Sequence, residues 1–208
     1  MALAATTRMC DTIRPAATVI LWRAGVSGPE VLMGQRAAAA AFMPSKYVFP
    51  GGGVDEADHD GALPGGWVSA DCAARLVLAS KVPTQALIAA ARRELAEETG
   101  LCLQPTPEMT VKFVFRAITP PGRSRRFDAR FFLARAEAAQ GDLDGFTGAS
   151  GELSHLHWIG LAEARALDLP FITEVVLAEV TALLSGIPQD GVPFFDNSGP
   201  VPTFRRLI

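Results

Sequence analysis

The chain has 208 residues, 49% of them hydrophobic and 20% charged, with 19 basic and 22 acidic side chains and a formal net charge of −3. That length supports one substantial hydrophobic core or at most two small ones. The near-neutral, slightly acidic balance argues against a general nucleic-acid surface, while leaving room for a local basic pocket.

In chain order, "AATVILWRA" (16–24) predicts a strand, rich in β-branched residues and ended by Gly25. "EVLMGQR" (30–36) predicts a second strand, with a hairpin turn between the two. The Ala run at 36–42 has helical composition, but Pro44 follows too soon, so it reads as a loop. "KYVF" (46–49) is a short extended piece stopped by Pro50 and three glycines. "SADCAARLVLASK" (69–81) predicts a helix starting near Ser69 or Asp71. "QALIAAARRELAEET" (85–99) predicts a clearer one, with Gly100 where a terminating glycine belongs.

Strands are expected at 110–119 and 127–136, joined by the basic turn "PPGRSRR". The first has alternating apolar Val111, Phe113 and Phe115. A Gly-rich loop spans 141–152, a short strand 153–160, and a helix begins at 161. A last helix covers 172–186. The tail, about 187–208, carries four prolines, which predict an extended segment whose Phe residues pack along the body or against a second subunit. No internal repeat or linker is visible. One α/β domain over 1–208 is expected, with an excursion at about 57–84.

Cys10, Cys72 and Cys102 are odd in number and widely spaced, which fits neither a disulfide scaffold nor a zinc site. Reduced thiols in a cytoplasmic protein are expected. No apolar run approaches the roughly 18 residues of a membrane span, and the start has no apolar signal-peptide core.

The chemistry concentrates in "ARRELAEETGL" (91–101). Glu94, Glu97 and Glu98 lie at i, i+3 and i+4 and crowd one side of a helix. Like charges at that spacing cost a few tenths of a kcal/mol per pair. Their position in the last turns also opposes the helix dipole. A solvated helix face is the bland explanation. A bound divalent cation is the sharper one, because it offsets the repulsion with oxygen ligands. Upstream, "FPGGGVD" supplies glycines for close backbone approach.

Together these segments resemble the Nudix hydrolase family. Its motif is Gly, five residues, Glu, seven residues, then Arg-Glu-aliphatic-x-Glu-Glu-x-Gly-aliphatic. "RELAEETGL" (93–101) matches the second half, and Gly52 is the motif glycine. Forty residues separate Gly52 from Arg93 where the ordinary motif has thirteen, an excess of 27. Counted back from Arg93, the early glutamate position falls on Gln85, leaving Asp55, Glu56 and Asp58 as candidate replacements. The resemblance implies an α/β/α sandwich with a mixed central sheet and a helical insertion within the motif. It also implies hydrolysis of a diphosphate linked to another moiety, using Mg²⁺ or Mn²⁺ held by Glu94, Glu97 and Glu98. Arg93 would orient a glutamate, and Glu152 is the candidate for a further acid from a distant loop, ahead of Asp142 and Asp144. Gly51, Gly52 and Gly53 would form the loop at the diphosphate.

"RPAATVILWRA", "FMPSKYVFPGGGVD" and "LHWIGLAEA" further resemble the subgroup containing the peroxisomal acyl-coenzyme A diphosphatases. That subgroup implies a coenzyme A derivative as substrate. Arg36 and Lys46 are candidate phosphate contacts. Arg125 and Arg126, with Arg123, could receive an extra phosphate, or form a solvated turn. Partners are expected to be a small diphosphate substrate and a second copy in a homodimer, with neither nucleic acid nor membrane. Gln85 also favours the alternative of a catalytically silent nucleotide-binding or regulatory protein.

Overall fold

The structure is a computed structural model that describes residues 12–60 and 66–208; Cys10 and positions 61–65 of the expected excursion lie outside the described residues. Its frame is set by β1 (Ile13–Gly25), whose successive side chains feed opposite faces. Val19 and Leu21 enter one core and Ile20 the other, all fully buried. β1 forms the expected hairpin with β2 (Gly28–Arg36). The chain then crosses an irregular segment to β3 (Tyr47–Val48), which pairs with β2.

The glycines do not simply stop β3. β4 (Gly51–Gly53) is itself a short strand, antiparallel to Ala16–Thr18 of β1. At Gly51 a Cβ would lie 2.5 Å from the Ala17 carbonyl oxygen, so only glycine fits this pairing. After a 3₁₀ turn at Glu56–His59 come α1 (Ala70–Val77) and α2 (Thr84–Thr99). Ser69 caps α1 by accepting from the Cys72 N–H at 3.2 Å. Gly100 ends α2 with φ +74, as the sequence predicts.

β5 (Cys102–Leu103), directly after α2, pairs antiparallel with β8 (Ala139–Gln140) in a separate two-stranded ribbon. β6 (Lys112–Ile118) and β7 (Arg126–Arg135) form the second hairpin, and β7 lies parallel to β1. β9 (Leu153–Gly160) pairs with β2. α3 (Leu161–Ala164) and α4 (Phe171–Leu184) follow. β10 (Val192–Asp196) lies parallel to β6, and β11 (Thr203–Leu207) antiparallel to β10. The mixed sheet runs β11-β10-β6-β7-β1-β2-β3, with β4 on β1 and β9 on β2. α2 buries Leu87, Ile88, Ala91 and Leu95 on one face of it. α4 buries Val176, Leu177 and Val180 on the other. This is the α/β/α sandwich the sequence predicts.

Three expectations are corrected. The tail, expected as an extended segment with no strand assigned, forms two strands of the main sheet; Pro193 is accommodated in β10 opposite Arg206. In β6 the predicted alternation breaks at a bulge between Phe113 and Phe115. Those two rings consequently enter opposite cores. Helix α1 ends at Val77 rather than Lys81. The reason is a buried charge network behind it. Arg116 donates to the Leu78 and Ala79 carbonyls at 3.1 and 3.0 Å, and Arg130 to Ser80 Oγ at 2.9 Å, drawing this stretch out of helical form. Both guanidiniums share the Asp128 carboxylate, at 2.8 and 2.9 Å. Burial, with Arg116 nearby, lowers the Arg130 pKa to about 10 despite Asp128.

No helix among the described residues is long and apolar enough to cross a membrane. Asp128→Ala leaves two buried guanidiniums sharing no carboxylate. Urea unfolding at pH 7 is expected to show a loss of about 3–5 kcal/mol.

Candidate active site

Helix α2 presents its acidic side to the β4 loop, and one guanidinium organises the contact. Arg93 uses its Nε and Nη2 edge to bind Asp58, at 3.2 Å to Oδ1 and 2.9 Å to Oδ2. Nη2 also donates to the Gly53 carbonyl at 2.9 Å. The opposite corner, Nη1, donates to Glu94 at 2.8 Å and Glu97 at 3.3 Å. Asp58 is 5% exposed and accepts the Asp55 N–H at 2.8 Å, closing the 3₁₀ turn. Burial pushes its pKa up, but the Arg93 and Asp55 hydrogen bonds and the Arg93 charge outweigh that, leaving it below the usual carboxylate range. The Arg93 pKa is raised, chiefly by its bonds to Asp58 and next by Glu94, against the opposing effect of burial.

Of Asp55, Glu56 and Asp58, it is Asp58 that is buried and binds Arg93 through both oxygens. It is the sixth residue after Gly52, the offset at which the family motif has its glutamate. Counted forward from Gly52, the extra residues lie after this acid. Gln85 is exposed on the first turn of α2 and bonds to none of these groups. Counting forward from Gly52 is the signal that finds Asp58.

Glu98 lies deeper, 2% exposed, and accepts the Gly51 N–H at 2.8 Å. Burial first, then the charges of Glu94 and Glu152, raise its pKa to about 7 against the opposing Gly51 N–H and Arg36 charge. Glu94 is raised too, by burial first and by Glu97 and Glu152, with Arg93 opposing. At Gly52 a Cβ would fall 2.4 Å from the Glu94 carboxylate, so the glycine makes room for the acid.

Glu94, Glu98 and Glu152 line one cavity of about 950 Å³, together with Gly51, Gly52 and Gly53. Arg36, Lys46, Arg123 and Arg125 line it as well. The Arg36 Nε is buried without a hydrogen-bond partner, whereas Lys46 is ion-paired with Asp168. Arg126 stands elsewhere. It is 6% exposed and donates to the Thr119 and Asn197 carbonyls at 3.1 and 2.7 Å, fastening the tail. Alternation along β7 sends it to the face opposite its cavity-lining neighbour Phe127. Glu97 is absent from the cavity lining; its side chain is 54% exposed and remains with Arg93. Asp144 pairs with Arg23 at 2.7 Å, and Asp142 accepts the Gly145 N–H at 2.8 Å, so both order their own loop. Residues missed from sequence include Phe171 and Phe195 on the apolar side of the cavity, brought there by α4 and the unpredicted β10.

Comparison with known proteins bears on this arrangement. The NUDIX domain matches residues 12–180, well over half of the chain. The chain belongs to the NUDIX family. A solved NUDIX hydrolase from Alicyclobacillus acidocaldarius is 26% identical, with a TM-score of 0.58 over 84% of this chain and 92% of its own. The NUDIX domain of Shewanella oneidensis NrtR, solved in complex with ADP ribose, shares the fold at 15% identity and a TM-score of 0.53, covering 83% of this chain and 89% of that one. A MutT NUDIX hydrolase from Burkholderia pseudomallei does so at 19% and 0.50, over 81% and 98%. No curated protein matches.

NUDIX hydrolases generally use divalent cations. Among the described residues, no three His, Cys, Asp or Glu side chains converge tightly enough to cage one in this arrangement. The donor set nevertheless fits a hard cation: Glu94, Glu98 and Glu152 offer carboxylate oxygens on one cavity, and their mutual charge helps raise the Glu94 and Glu98 carboxyls.

Glu98 has a consequence for the metal-free protein. Its folded pKa of about 7 lies above the ordinary 4.5, so ionisation costs stability. The cost is absent below about pH 4.5 and complete above about pH 7. In EDTA, Glu98→Gln is therefore expected to raise stability by about 1–3 kcal/mol at pH 8.5 and to change it little at pH 4.5, as read by urea unfolding.

Proposed function

We propose that this NUDIX protein hydrolyses a nucleoside diphosphate linked to a second moiety, in a divalent-cation-dependent reaction, with coenzyme A or its acyl derivatives as substrate. The observation that carries the reading is the buried Glu98 carboxylate. It is fixed by the Gly51 N–H on the wall of a cavity that also holds Glu94 and Glu152. A carboxyl group buried this way, whose nearest acids oppose its ionisation, calls for a cation to stabilise the charged form.

Glu94, Glu98 and Glu152 would hold Mg²⁺ or Mn²⁺, which when bound neutralises diphosphate charge and lowers the pKa of bound water. The chain's own contribution is positional. Asp58 fixes Arg93, Arg93 fixes Glu94, and the Gly51 N–H fixes Glu98. Arg36, with an unpartnered Nε, binds a diphosphate oxygen. Arg123 and Arg125, at the basic loop on the same cavity, receive the further phosphate that distinguishes coenzyme A from its dephospho form.

A panel of coenzyme A, dephospho-coenzyme A, NADH, ADP-ribose and nucleotide sugars tests this, with Mg²⁺ and with EDTA. Wild type is expected to release nucleotide only with the metal, and Glu98→Gln to lose about 100-fold or more in kcat. The absence of metal-dependent release across the panel overturns the enzymatic reading. Arg123→Ala/Arg125→Ala is expected to raise KM for coenzyme A about tenfold and to spare that for dephospho-coenzyme A. An equal change for both removes the assigned phosphate contact.

A further inference from the structure

The floor of the cavity is a cross-strand row running away from the carboxylates. Register places Gly53 opposite Ala16, Ala16 beside Ala129, Ala129 opposite Ala117, and Ala117 beside Phe195. All five residues line the cavity. At about 4.8 Å per strand, the four steps from Gly53 to Phe195 span about 19 Å. One end is therefore the Gly51–Gly53 loop, with Glu94 and Glu98 against it. The other end is apolar. It is formed by Phe195 with Leu169, Phe171 and Ile172 of the α4 entry.

Two independent features give that far end a role. Phe171 and Phe195 pack edge to face with centroids 6.4 Å apart, and Phe195 meets Phe204 of β11 at another 6.4 Å. Phe171 and Phe204 are nevertheless 67% and 59% exposed. Large aromatic surface is left to water where the cavity opens. In addition, Phe195 and Phe204 lie beyond residue 180, where the family match ends. The C-terminal hairpin therefore stands outside the matched family core, and its Phe195 completes a wall of the cavity.

We infer that the C-terminal hairpin and the start of α4 together form a specificity element: Phe195 of the hairpin and Phe171 of α4 bind the distal apolar part of an elongated chain attached to the diphosphate. The inference deepens the proposed function and rests on it, because the diphosphate end is what sets the chain along the floor. A compact sugar would leave the apolar end wet. A flexible chain reaching about 19 Å would cover it.

The test uses ethyl, butyl, octyl and dodecyl diphosphate as probes, with ADP, titrated calorimetrically into the full chain with Mg²⁺; of these the dodecyl chain, with its diphosphate, is long enough to reach the aromatic end. The readout is the ratio of ethyl to dodecyl Kd, which a general loss of diphosphate binding does not move. Wild type is expected to bind the dodecyl probe about 30-fold or more tightly than the ethyl probe. Phe171→Ala, whose side chain is exposed, and Phe195→Ala are each expected to reduce that ratio about fivefold, and Phe195→Leu to retain most of it. ADP binding with a flat ratio overturns the specificity element and leaves the proposed function standing. Failure of ADP and all four probes to bind overturns both. A ratio unchanged in both alanine variants marks nonspecific association of the alkyl chain and overturns the inference. So does a flat ratio with a wild-type dimer that Phe171→Ala or Phe204→Ala converts to monomer in light scattering, because the exposed rings then serve subunit contact.

Discussion

The site depends on the two-sided use of one guanidinium. Arg93 binds Asp58 and the Gly53 carbonyl with one edge, and Glu94 and Glu97 with the opposite corner. The arginine belongs to α2, and its partners Asp58 and Gly53 belong to the loop that pairs with β1. The contact therefore fixes helix to sheet at the mouth of the cavity. A planar cation with five donors is suited to this, whereas a lysine could not hold both sides at once. Glycine at position 52 is the steric counterpart, because any side chain there would occupy the space of the Glu94 carboxylate.

Around that clamp the protein tolerates charge where stability would disfavour it. Glu98 is held nearly dry by a backbone N–H and repelled by two other acids. Farther along the sheet, Arg116 and Arg130 share one carboxylate and hold the end of the excursion that precedes α2. The two arrangements differ in kind. The arginines are neutralised within the fold and exert a structural grip. Glu94 and Glu98 stand at a cavity wall, where burial and like charge together raise their pKa values and point to a ligand.

Much of this was legible from local pattern. The β1–β2 hairpin follows from β-branched runs around Gly25 and Gly28, and α2 from its apolar stripe and Gly100. The acidic face followed because Glu94, Glu97 and Glu98 recur at helical spacing. The tail was not legible as strands, since its prolines weaken every local strand signal and its pairing partner, β6, lies far away in sequence. The β6 bulge escaped for the same reason: a shift of register is a property of two strands, not one. Arg125 and Arg126 look equivalent in sequence, yet one lines the cavity and the other is buried against Asn197. Arg125 ends the turn, and the pleat of β7, which begins at Arg126, directs Arg126 away from the cavity.

The sequence by itself determined an α/β chain and which helix carries the acids, because those depend on short-range periodicity, and the resemblance of its split motif implied the family and the layers of the sandwich. Tertiary structure decided which acid partners Arg93, which acids share the cavity, and that residues beyond 180 close its apolar end. These facts depend on which distant strands lie side by side. A chain that inserts 27 residues into its own motif alters sequence spacing without altering which backbone groups face one another across the sheet.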